Sequence, residues 1–99
     1  MAPPPTIAVS KDELDALFEA LDIWPKIHDG RLTSEAIVDA RLPSWDYPGG
    51  VSDIIRHRNA AGYQVATSHR IMDKAGSVPH WDGKDIHIGD IVIWRAELS

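Results

Sequence analysis

The period of the apolar residues changes at Gly62, and that change commits the chain to an α+β fold. Before Gly62 the spacing is helical: Leu14, Leu17, Phe18, Leu21 and Trp24 fall at i, i+3, i+4, i+7 and i+10 along one face. After it, Tyr63, Val65, Thr67, His69 and Ile71 alternate with Gln64, Ala66, Ser68, Arg70 and Met72, the two-residue period of a strand. At 99 residues the chain can build one core but not two, so both halves must share it.

Local signals divide the first half into three helices. Ser10 followed by Glu13 is a capping box, and Asp12, Glu13 and Asp15 suit the positive end of a helix near 10–24 that Pro25 ends. After the turn His28-Asp29-Gly30, Thr33 or Ser34 caps a short helix over 33–42. Ile37, Val38 and Leu42 form its apolar side, and Pro43 stops it. Val51, Ile54, Ile55 and Ala61 would line a third helix over 51–61, with Gly62 as its left-handed terminator. Beyond the alternating strand, 73–85 reads as a long loop and 86–94 as a strand. Within that strand Gly89-Asp90 is either a tight turn or a bulge.

Composition narrows the function classes. There is no cysteine, which removes disulfides and thiolate zinc sites and leaves the cytoplasm as the default compartment. No apolar run approaches the roughly 18 residues of a membrane span, and residues 1–9 read as a disordered Pro-rich arm without signal-peptide character. The domain is expected to occupy residues 10–99. Net charge is −5, unevenly spread: residues 1–53 carry ten acids against four bases, residues 54–99 five acids against six bases. The second half therefore suits a phosphate-facing surface better than the first.

The run Val51-Ser52-Asp53-Ile54-Ile55-Arg56-His57-Arg58-Asn59-Ala60-Ala61-Gly62-Tyr63-Gln64-Val65-Ala66-Thr67 resembles the recognition helix and first wing strand of small bacterial and phage winged helix-turn-helix domains. The resemblance implies three helices followed by a two- or three-stranded β-hairpin wing, and sequence-specific binding of duplex DNA by a small transcriptional regulator or accessory protein. Ser52, Arg56 and Asn59 would form one exposed stripe on the third helix, beside His57, with Arg and Asn able to read guanine and adenine. Arg70, Lys74 and Lys84 would meet phosphates from the wing. The alternative is a protein–protein interaction module on the same fold, anchored by Trp45, Tyr47 and Trp81.

His80, Asp82, Asp85 and His87 raise a metal hypothesis on residue type alone. No helix presents a histidine pair at i, i+4, and Gly83-Lys84 favours an ordinary turn, so neither metal nor other cofactor is expected. With no cysteine and no Gly-framed serine there is no anchored nucleophile, and catalysis is not expected either.

Overall fold

The computed structural model describes residues 5–37, 42–43 and 47–96. Along the chain these form β1 (Thr6–Val9), α1 (Lys11–Ala20), α2 (Ile23–His28), β2 (Thr33–Ala36), β3 (Leu42–Pro43), β4 (Val51–Arg58), β5 (Gln64–Met72), β6 (His80–Ile88) and β7 (Ile91–Arg95). The N-terminal part of the helical signal is realised. Ser10 Oγ accepts from the Glu13 amide and Glu13 Oε1 accepts from the Ser10 amide, both at 3.1 Å. The helix stops earlier than Pro25, because Asp22 takes a left-handed conformation at φ 54° and the chain restarts as α2. Pro25 sits in the first turn of that second helix, where its missing N–H costs nothing.

The winged-helix expectation is overturned by the sheet. The seven strands form a single sheet in the order β1-β7-β6-β5-β4-β2, with β3 beside β2 on the same edge of β4. Strands β4 to β7 are an antiparallel meander, and β1 closes the far edge parallel to β7. The expected recognition helix over 51–61 is strand β4. Its burial alternates, with Asp53, Ile55 and His57 buried and Ile54, Arg56 and Arg58 half-buried. The expected second helix is replaced by β2 and β3, with 38–41 outside the described residues. Thr6–Val9, assigned from sequence to the N-terminal arm, is strand β1.

Two hairpins share one turn chemistry. Asn59 Oδ1 accepts from the amides of Ala61 and Tyr63, and Asp73 Oδ1 accepts from those of Ala75 and Ser77. Each loop places a glycine, Gly62 or Gly76, at φ near +87° (86° and 88°), where a side chain would be strained. Gly62 thus has the left-handed conformation its setting predicts, in a hairpin instead of a helix end. The third hairpin turns at Gly89-Asp90, between Ile88 and Ile91. The bulge lies elsewhere: Ser68 faces Gly83 and Thr67 faces Asp85, leaving Lys84 without a partner across β5.

The two helices cover one face of the sheet. Leu14, Phe18, Ile23 and Ile27 pack with Leu32, Ala66 and Ile86 as the core, flanked by Trp24, Val65, Trp81 and Ile93. Phe18 lies directly on Gly83, where a Cβ would come within 2.4 Å of the ring. Trp24 bridges Phe18 and Trp81, at ring separations of 5.2 and 5.6 Å. Removing a buried ring of this kind costs about 3–5 kcal/mol, so the Phe18–Gly83 contact anchors α1 to β6.

Candidate metal centre

Strand register decides which polar residues meet. On β4 to β6, the pairs Ile54–His69–Asp82 and Ser52–Ile71–His80 are cross-strand neighbours, so Ser52, His69, His80 and Asp82 share one face. One residue along, Asp53–Arg70–Trp81, Ile55–Ser68–Gly83 and His57–Ala66–Ile86 share the face under the helices. The same three strands therefore carry two histidine clusters on opposite sides.

The cluster under the helices is closed. His57, fully buried, contacts Ser34 Oγ through Nδ1 at 3.0 Å and Ser68 Oγ through Nε2 at 2.8 Å. Trp81 Nε1 donates to the same Ser68 oxygen at 2.8 Å. Burial holds the His57 pKa below the ordinary imidazole range, opposed by the Thr33 backbone and aided by the charge of Arg70. A neutral ring accepting the Ser68 proton at Nε2 and donating from Nδ1 satisfies each partner. Arg70 lies over the Trp81 ring at 5.6 Å and reaches buried Asp53 at 3.4 Å. This is a structural network that holds β2, β4, β5 and β6 together.

The cluster on the other face is open. One ligand atom from each of His69, His80 and Asp82 lies within 4.8 Å of the others. They border a cavity of about 520 Å³, completed by Lys11 at the start of α1, Tyr47, Pro79 and Arg95. Asp82 Oδ2 accepts from Arg95 Nη1 at 2.9 Å. Asp82 Oδ1 is buried and lies 2.7 Å from His80 Nε2, an ion-pair contact without hydrogen-bond alignment. Ser52 Oγ contacts His69 Nε2, and burial, then the neighbouring His80, holds His69 below the ordinary imidazole range. A neutral imidazole is the form that binds metal.

No protein-family model, curated protein or solved structure matches this chain. The geometry of the residues stands alone.

The other sequence-derived site residues are dispersed. Ser52 and Arg56 lie on one face of β4 and His57 on the other. Asn59 builds one hairpin tip, and Lys74 lies in the Asp73–Ser77 loop. Arg70 is drawn into the Asp53–Trp81 stack, and Lys84 is the exposed bulge residue of β6. They form neither a recognition helix nor one basic face, which removes the DNA-binding reading. The interaction module falls with the same fold: Trp81 packs against the core, and Trp45 lies outside the described residues. Of the four residues first considered for metal, His80 and Asp82 come together, whereas His87 pairs with Asp85 at 3.1 Å. His69, the third member, sits in β5 and was read only as one position of an alternating strand. The signal that finds it is cross-strand register, which spacing along the chain does not contain. Among the described residues no helix is long and apolar enough to cross a membrane.

Proposed function

We propose that this domain binds one divalent transition-metal ion, with zinc the best match, through His69, His80 and Asp82. The reading rests on the convergence of one ligand atom from each of these residues, all within 4.8 Å of one another, at the edge of a cavity. Two imidazoles and one carboxylate suit zinc, and three protein ligands leave a fourth position for water or an exogenous ligand. Here that position would open into the 520 Å³ cavity. Tetrahedral zinc spaces its ligand atoms about 3.3 Å apart. The three atoms lie within 4.8 Å of one another, so a bound ion would adjust their spacing by an ångström or so. Outer contacts support two ligands: Ser52 orients His69, and Arg95 occupies the Asp82 oxygen that the metal does not need.

The test is zinc stoichiometry after equilibration and gel filtration. One zinc per chain is expected, lost in His69→Ala and His80→Ala and retained in His87→Ala. Zinc-free protein, or equal loading of all three variants, would remove the reading.

A further inference from the structure

A second concavity lies at the opposite end of the helix layer and involves none of the metal-centre residues. Long strands and short helices meet around it. Strands β5 and β6 have nine residues each, about 30 Å of sheet, whereas the ten residues of α1 cover about 15 Å. The six-residue α2 does not make up the difference. The ends of β5 and β6 next to the Asn59–Tyr63 hairpin border the concavity, with Leu21, Ile23 and Lys26 on the helix side.

The result is a cavity of about 660 Å³. Its floor is core: Ile23 and Ile86 are each 1% exposed and Leu32 5%. Its walls carry two large aliphatic side chains open to water, Leu21 at 39% and Ile88 at 47%. Lys26 and Arg31 stand at its rim, and none of the described residues lining it is acidic. Arg31 shares its charge with Asp29 at 2.7 Å, outside the lining. An apolar pocket of several hundred Å³ with a few polar groups at its mouth is the usual form of a small-molecule site. The two rim cations define the polar end of its ligand.

We propose that this cavity binds a small amphipathic anion: an aliphatic body laid over Ile23, Leu32 and Ile86, with a carboxylate between Lys26 and Arg31. The apolar part supplies most of the affinity, because burying each methylene is worth about 0.8 kcal/mol. The two cations, half-buried Lys26 and exposed Arg31, select the charged head over a neutral one by a smaller margin.

Decanoate is the probe, followed by amide chemical shifts of the whole chain, with decan-1-ol and acetate as controls. Saturable shifts are expected at Ile23, Leu32 and Ile88, weaker binding of decan-1-ol and none of acetate. Lys26→Gln with Arg31→Gln should weaken decanoate by about fivefold and leave decan-1-ol unchanged. Ile88→Glu, a substitution at an exposed position, should abolish decanoate binding without unfolding the chain. Absent or unsaturable shifts, shifts confined to another surface, or equal binding of decanoate and decan-1-ol would each overturn the proposal. The outcome is independent of zinc binding, since the two sites share no residue.

Discussion

His57 and His69 are twelve residues apart in sequence and lie on neighbouring strands, yet they face environments of opposite kind. His57 lies under the helices, where Ser34, Ser68 and Trp81 close its network from inside the protein. His69 lies on the other face beside His80 and Asp82, where the three ligand atoms converge and the cluster opens into a cavity. A buried polar group with all its partners is part of the scaffold, and one without them is where an added ligand gains most. Histidine content alone would not separate the two. What each ring touches does: two serine hydroxyls for His57, a carboxylate cluster at a cavity for His69.

The largest expected effect tests the closed side. His57→Ala should destabilise the domain by about 3 kcal/mol, through lost packing and the buried Ser68 hydroxyl left without its acceptor. His80→Ala in metal-free protein should change stability by less than about 0.5 kcal/mol, as befits a half-exposed side chain. Denaturant melts of the two variants would break the comparison if they gave equal losses. Zinc should act next in size on the open side. At a free concentration of roughly 100 times Kd it should stabilise the wild type by about 2.7 kcal/mol and leave His69→Ala unmoved.

Gly83→Ala sharpens the closed side further. Its methyl group would enter the Phe18 ring, and overpacking of that order costs about 1–3 kcal/mol, measurable as a lower denaturation midpoint with an unchanged slope. The smallest effect is in pH. The folded His57 is held below the ordinary value of 6.5, so as pH falls below that value the unfolded chain takes up a proton that the folded ring refuses. Stability is therefore full above pH 6.5 and is lost as pH falls from there through the folded pKa. His57→Gln should flatten that acid limb relative to wild type. An unchanged limb would show that His57 is protonated as readily folded as unfolded.

What the sequence showed and what it hid have physical reasons. The Ser10–Glu13 box and the Leu14/Phe18 stripe are local, so the start of α1 could be placed from neighbours alone. The alternating run after Gly62 became β5 for the same reason. β4 was missed because its inward positions read Asp53, Ile55, His57: two polar residues, satisfied by partners on other strands, hide the apolar alternation of a strand. Val51, Ile54 and Ile55 then mimic a helical face. Asn59 to Gly62 likewise serves as a helix end or a hairpin, and only the Asn59 side-chain bonds decide. The metal cluster needed the pairing of β5 with β6, including the bulge at Lys84, and that register is a property of the sheet.

One histidine cluster is closed on its own partners, and the other is proposed to hold an ion. Ring-nitrogen NMR of the five histidines tests it most directly, recorded before and after one equivalent of zinc. Nitrogens of His69 and His80 should shift strongly and saturate together at that equivalent, while both nitrogens of His57 keep their positions. Shifts at His57, or at His28 and His87 in place of His69 and His80, would contradict it, as would a spectrum that zinc leaves unchanged.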